Sequence, residues 1–173
     1  MLRQLARSFF ARPVTMDGPG AGDAALRELA GKVDALARNR LGRSLSIREI
    51  DAGSCNGCEL EVHALNNPIY DLERFGIRFV ASPRHADVLL VTGPVTKNMH
   101  AALVRTWNAT PEPKWVVAVG DCGCTGGVFA GGAAISGGVE AAIPVDLKIP
   151  GCPPNPRRLL QGLLALLEHV AAE

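Results

Sequence analysis

Aromatic side chains are scarce: five Phe, two Trp and one Tyr among 173 residues. The core must therefore be built from aliphatic side chains. Neither sign of charge is in excess, since 18 Lys and Arg face 17 Asp and Glu. Composition thus gives no reason to expect a nucleic-acid partner. Long apolar runs are also missing. The best, Val88-Leu89-Leu90-Val91 and Val116-Val117-Ala118-Val119, fall far short of the ~18 residues of a spanning helix, so the chain is not expected to cross a membrane by itself. An even set of cysteines is lacking as well. Five cysteines, most of them in glycine-rich turns, do not form a secreted disulfide framework and place the chain in a reducing cytosol or on the cytosolic face of a membrane.

Apolar residues make up 47% and charged residues 20% of the sequence, a soluble globular balance in a length that fits one domain. The first thirteen residues stand apart. Arg3, Arg7 and Arg12 alternate with Leu2, Leu5, Phe9 and Phe10 up to Pro13, which reads either as a frayed terminus or as an amphipathic arm for a membrane surface or a partner groove. The apolar part is too short for a secretory signal. Asp17-Gly-Pro-Gly-Ala-Gly22 is a flexible joint, so residues 1–22 form an arm and linker and residues 23–173 a single α/β domain.

Within that domain Leu26, Leu29, Val33 and Leu36 recur at helical spacing, and Gly42 ends the pattern. Leu45 to Ile50 alternates as a strand and runs into Gly53-Ser54-Cys55. A helix is expected over Gly57–Asn66, stopped by Asn66, Asn67 and Pro68, and another over Asn98–Asn108. Further strands are expected at Phe75–Val80, Asp87–Val91, Trp115–Val119 and Ile143–Ile149, with Gly126–Gly138 as a loop. Asn155 can cap a last helix that has Pro156 at its first position and a stripe of Leu159, Leu160, Leu163, Leu164, Leu167 and Val170. Strands alternating with helices around a continuous apolar core predict a three-layer, flavodoxin-like fold with a mainly parallel sheet. Ligands of such sheets bind beyond the carboxyl ends of the strands.

Four cysteines sit in turns of that kind: Cys55 and Cys58 in Ser-Cys-Asn-Gly-Cys-Glu, Cys122 in Gly-Asp-Cys-Gly-Cys, and Cys152 in Pro-Gly-Cys-Pro-Pro. Three of the turns directly follow expected strands. A redox dithiol would use Cys55 and Cys58 and leave the other two idle. A structural zinc ion usually takes two Cys-x-x-Cys knuckles, whereas Cys122 and Cys152 are split by 29 residues. The pattern favours a cubane 4Fe-4S cluster over zinc. Glycines 57, 123, 126, 127 and 151 would let backbone N–H groups approach the sulfurs, and helix Gly57–Asn66 would direct its N-terminal amides at an anionic cluster. Cys124, two positions after Cys122, competes with it as a ligand.

From about Asp51 to Leu164 the chain resembles the cluster-bearing small subunit of nickel–iron hydrogenases. It is most similar to the energy-converting, membrane-associated group of formate hydrogenlyase type, which is homologous to the 20-kDa cluster subunit of respiratory complex I. The matching stretches are Ser54–Glu59, Pro68–Gly76, Ser82–Gly93, Val95–Met99, Gly120–Phe129 and Ile143–Pro154. Where the complex I relatives carry two adjacent cysteines, this chain has Gly57 before Cys58, which is the hydrogenase arrangement.

The resemblance implies one 4Fe-4S cluster on Cys55, Cys58, Cys122 and Cys152, with Gly57, Gly123, Cys124 and Gly151 beside it. It implies three kinds of partner: a nickel–iron large subunit that carries the catalytic centre, a ferredoxin-like 4Fe-4S subunit and integral membrane subunits. The complex would lie on the cytoplasmic face of the cell membrane, with this chain peripheral. Glu61 matches a family glutamate that moves protons or tunes the cluster, or is a plain helix-surface carboxylate. Asp71 and Arg74 match a family pair, expected as an ion pair or partner contact. Arg84 and His85 fall where complex I relatives face quinone and are expected here as interface residues. Two other readings stand beside the first: a complex I-like oxidoreductase without nickel, and a zinc-stabilised interaction module.

Overall fold

The computed structural model describes residues 24–171. The expected N-terminal arm and linker, residues 1–22, lie outside the described residues. In chain order the main elements are α1 (Ala24–Leu41), β1 (Ser46–Asp51), α2 (Gly57–Ala64), β2 (Arg78–Phe79), β3 (Val88–Thr92), β4 (Val95–Thr96), α3 (Lys97–Ala109), β5 (Trp115–Val119), α4 (Gly120–Thr125), β6 (Ile135–Gly137), β7 (Leu147–Ile149) and α5 (Pro156–Ala171).

Five strands form one sheet in the order β2-β1-β3-β5-β7, and every pairing is parallel. This is the doubly wound order in which the chain leaves the sheet centre in both directions, opening a crevice at the strand ends. Alternation divides the apolar residues between two faces. Ile47, Val88, Leu90, Val117 and Val119 join one core with Val33 of α1, Val62 of α2 and Leu163 of α5. Leu89, Val91, Val116 and Ala118 join the other with Leu103 of α3, Val139 and Ile143. The central β3 is buried along its whole length, which is why it reads as a continuous apolar run. The three expected layers are present.

Element lengths depart from the sequence expectation in four places. The strand expected at Phe75–Val80 holds only Arg78 and Phe79, because Leu72–Phe75 coils into a 3-10 turn that ends at Gly76 with φ 79°. The strand expected at Ile143–Ile149 is confined to Leu147–Ile149, because Ile143 packs into the second core and pairing with β5 begins only at Leu147. The glycine-rich stretch Gly126–Gly138 is not wholly loop: Ile135–Gly137 pairs antiparallel with β4. Cys122 sits in a short helix, α4, that starts directly off β5. The cap at α5 is as expected, with Asn155 Oδ1 accepting the Arg158 N–H at 2.9 Å.

The entry of β1 into the sheet depends on one buried carboxylate. Asp87, 2% exposed, accepts from Arg43 Nη1 (3.0 Å), from Arg43 Nη2 and from the Ser46 N–H (2.9 Å). Replacing it with alanine would leave the Ser46 donor buried and unsatisfied. Asp87→Ala should therefore destabilise the fold by about 3 kcal/mol in urea unfolding, and Arg43→Ala, which leaves the buried carboxylate without its cation, by about as much. A loss below about 1 kcal/mol in Asp87→Ala would refute this assignment.

Candidate metal centre

β1, β5 and β7 run parallel, so the turns that leave them emerge on the same edge of the sheet. Cys55 follows the end of β1 by four residues, and Cys122 and Cys152 follow β5 and β7 by three each. The turn after β1 is shaped by Asp51, whose Oδ1 accepts the N–H groups of Gly53 and Ser54, both at 2.7 Å. Asn56 then takes a left-handed conformation, φ 69°, and α2 begins at Gly57. The strand between the two cysteine turns, β3, is cut short at Gly93. Its φ is 73°, and a Cβ there would come within 2.5 Å of the Ser54 nitrogen. Only glycine lets the β1 turn fold over the end of β3.

The turns after β5 and β7 are fastened to each other. The Asp121 N–H donates to the Gly151 carbonyl at 2.8 Å, and the Gly151 N–H donates to Asp121 Oδ1 at 2.8 Å. This pair of bonds fixes Cys122 relative to Cys152. Gly120, with φ 79°, clears the space for a third thiol, because a Cβ at this position would stand 2.6 Å from Cys58 Sγ. Gly127 does the same for Cys122, with 2.7 Å from a built Cβ to the sulfur. The Val128 N–H also bonds to Cys122.

The four thiols feel one another. Burial, followed by Glu59, Cys55, Cys122 and Cys152, pushes the Cys58 pKa up to about 12. Cys122 is raised by burial first and then by Cys152 and Cys55. Four mutually repelling thiolates without a cation are unfavourable, and bound metal reverses that sign. The donor set and the glycine cradle therefore fit a thiolate-ligated metal group. Cys55 and Cys152 are exposed and Cys58 and Cys122 half-buried, so the group would sit at the surface edge. Among the described residues, no three Cys, His, Asp or Glu side chains are gathered tightly enough for one metal ion.

Cys124 turns away. Its Sγ lies 3.7 Å from the Ala118 carbonyl, and its pKa is raised by burial and Asp121, with no contribution from the other cysteines. Of the other residues expected beside the centre, a Cβ at Gly57 would stand 3.5 Å from Cys55 Sγ, and one at Gly123 would crowd the Val91 carbonyl oxygen at 3.3 Å. Gly151 forms the clasp with Asp121. Glu61 is half-buried on α2, and Asp71 is the left-handed residue before the Leu72–Phe75 turn that contains Arg74. Arg84 and His85 are exposed residues of the Pro83–His85 turn, which packs against α3 outside the cysteine turns. None of Glu61, Asp71, Arg84 and His85 is among the main groups acting on the Cys58 or Cys122 thiol.

Sequence reasoning passed over Gly120, Asp121 and Glu59. Gly120 and Asp121 stand in the same motif as Cys122, but their partners, Cys58 and Gly151, are remote in sequence. Glu59 adjoins Cys58 and is only 7% exposed, and neither carboxylate oxygen has a hydrogen-bond partner among the described residues. Around the turns, Leu60, Val128 and Phe129 are exposed apolar side chains, at 63%, 86% and 43%.

The chain has relatives among known proteins. It is 46% identical over 133 residues to formate hydrogenlyase subunit 7 of Escherichia coli, covering 75% of this chain and 52% of that protein. The chain thus spans about half the length of that relative. It is 45% identical to the probable membrane-bound hydrogenase subunit mbhJ of Pyrococcus furiosus, over 76% of this chain and 78% of that one. An NADH-quinone oxidoreductase subunit of Citrifermentans bemidjiense is 48% identical over 67% of this chain and 68% of its own length. Among solved structures, a chain of the membrane-bound sulfane sulfur reductase, an archaeal respiratory membrane complex, superposes with a TM-score of 0.67 at 33% identity, covering 82% of this chain and 76% of that one. The family described as NADH ubiquinone oxidoreductase, 20 Kd subunit, matches residues 55–166, from the first cysteine of the cluster of turns into the last helix, and the chain belongs to that family.

Proposed function

We propose that this chain is the electron-transfer subunit of a multisubunit, membrane-associated oxidoreductase of the nickel–iron hydrogenase type, with one 4Fe-4S cluster on Cys55, Cys58, Cys122 and Cys152. The convergence of four thiols from three strand ends onto one glycine-lined edge carries the reading. A structural zinc ion usually takes two Cys-x-x-Cys knuckles, whereas Cys122 and Cys152 come from two separate turns, which supports a cluster over zinc. Such a cluster, when bound, takes up and releases single electrons at a potential set by charge, hydrogen bonds and solvent exposure.

The chain's own residues do the positioning. Asp121 and Gly151 hold two ligand turns at a fixed separation, Gly120 and Gly127 keep side chains off the sulfurs, and the Val128 N–H stabilises thiolate charge on Cys122. No helix among the described residues is long and apolar enough to cross a membrane. Membrane association is then a property of the complex, with this chain peripheral on the cytoplasmic face. Its neighbours there would be a nickel–iron large subunit, a ferredoxin-like cluster subunit and integral membrane subunits. Gly57, in place of a second adjacent cysteine, favours the hydrogenase branch. A complex I-like role without nickel is the second reading, favoured by the 48% identity to an NADH-quinone oxidoreductase subunit and by the sulfane sulfur reductase structure. Nickel analysis of the purified complex separates the two.

Anaerobically purified protein should contain iron and acid-labile sulfide in equal amounts and give a cluster EPR signal on reduction. Zinc without that signal would refute the proposal. Cys152→Ser should abolish the native signal and electron flow through the complex, while Cys124→Ser should retain both. Loss of the cluster in the latter would move the ligand from Cys122 to Cys124. Gly120→Ala should lower iron content to roughly half or less, since its Cβ collides with a ligand sulfur. Gly131→Ala, at the same φ of 79° but with nothing within 4 Å, should lose only about 1 kcal/mol of stability and keep its iron. Matching iron losses in both glycine variants would show that backbone strain, not the sulfur contact, is responsible.

A further inference from the structure

The charged side chains that act most on Cys58 and Cys122 are all acidic. Besides the cysteines themselves they are Glu59, on Cys58, and Asp121, on Cys122. No lysine, arginine or histidine among the described residues is one of them. Lys148, which acts on the Cys124 thiol, is paired with Glu140. Of the two acids, Asp121 has the defined position. It precedes Cys122, and its Oδ1 accepts the N–H of Gly151, the residue before Cys152, at 2.8 Å. One carboxylate thus stands beside two ligand turns at once.

The same contact occupies a donor. The residues just before Cys122 and Cys152 bind each other, Gly151 N–H to the Asp121 side chain and Asp121 N–H to the Gly151 carbonyl. Each amide has one hydrogen to give, so neither is left for a sulfur. Gly151 is packed into this pose, since a Cβ there would stand 2.9 Å from the Pro154 nitrogen. The Val128 N–H is the backbone donor that does reach Cys122. Hydrogen bonds to the sulfurs and nearby charge both act on the reduction potential of a cluster. Reduction adds an electron to a centre already held by four thiolates. A donor aimed at sulfur favours that step, and a carboxylate nearby opposes it. Asp121 removes a donor and supplies the carboxylate.

We propose that Asp121 holds down the reduction potential of the cluster, by setting a carboxylate between two ligand turns and by keeping the Gly151 N–H off the sulfurs. The inference rests on the reading of Cys55, Cys58, Cys122 and Cys152 as cluster ligands. It adds a direction to that reading: this side chain moves the centre toward the reducing end of its range. Asp121 is exposed, so water and salt screen its charge and the effect is modest.

The test is an EPR-monitored redox titration of the full chain, purified anaerobically with its cluster and reduced with dithionite. Asp121→Asn keeps an acceptor for the Gly151 N–H and removes the charge. Its reduction equilibrium constant should be about threefold larger than that of wild type at low ionic strength, a rise of ~28 mV for a one-electron couple. The difference should shrink in about 1 M salt, where the Debye length is ~3 Å. Asp121→Glu, which keeps the charge, should titrate closer to wild type. Glu73→Gln loses the same charge at a recess lined by Arg43 and Arg78 and should leave the potential in place. Equal shifts in Asp121→Asn and Glu73→Gln would overturn the proposal, because the charge would then act only through the net total. Asn and Glu variants shifted alike would refute it by pointing to disturbed packing. Loss of the cluster from Asp121→Asn would sink it too, by making the charge a condition of cluster retention. Wild-type protein without a cluster signal would overturn the cluster reading and this inference together. An unshifted potential in loaded Asp121→Asn would overturn this inference alone.

Discussion

Everything at the cysteine edge depends on two hydrogen bonds made by one residue pair. Asp121 and Gly151 are thirty positions apart, yet each donates an N–H to the other's acceptor. Without that reciprocal tie, the turns after β5 and β7 would be set only by three residues of strand pairing, and the distance between Cys122 and Cys152 would drift. A metal group with fixed dimensions demands the opposite. The remaining devices are subordinate: the Asp51 turn places the first two thiols, and glycines at 93, 120 and 127 keep side chains out of the crossing points.

The parallel sheet explains why such a small chain can bring three remote turns together. In a doubly wound order every strand ends on the same edge, so ligands spaced along the sequence are gathered by the fold without long loops. The layers behind the edge are aliphatic, in keeping with the scarcity of aromatic residues. They give the turns a rigid base, since β3, lying between β1 and β5, is buried on both faces.

Much of this was legible in the sequence because it is local. β3 and β5 are continuous apolar runs, α5 has its cap and stripe, and the cysteine turns announce themselves by glycine and proline. What stayed hidden was set at a distance. The shortness of β2 follows from Gly76 and the 3-10 turn before it, and β6 exists only because β4 is there to pair with it. Gly120 matters through Cys58, sixty-two positions upstream, and nothing near either residue reports that contact. Glu59 reads as an ordinary charged residue in the first turn of a helix, because burial is a property of the packed whole. Glycine at 57, by contrast, is legible from its place in a motif, and the structure adds only that a Cβ there would meet Cys55 Sγ at 3.5 Å.

The thiols are graded in depth, with Cys55 and Cys152 outermost and Cys58 and Cys122 further in. Around them Leu60, Val128 and Phe129 present bare apolar surface, which in a lone subunit is adhesive. A site with that gradient is filled from outside, through the same face that a neighbour would seal. On the proposed reading, a group held by these thiols would be loaded through that open face before a neighbour covered it, so the two outermost thiols, Cys55 and Cys152, would be the first to meet it.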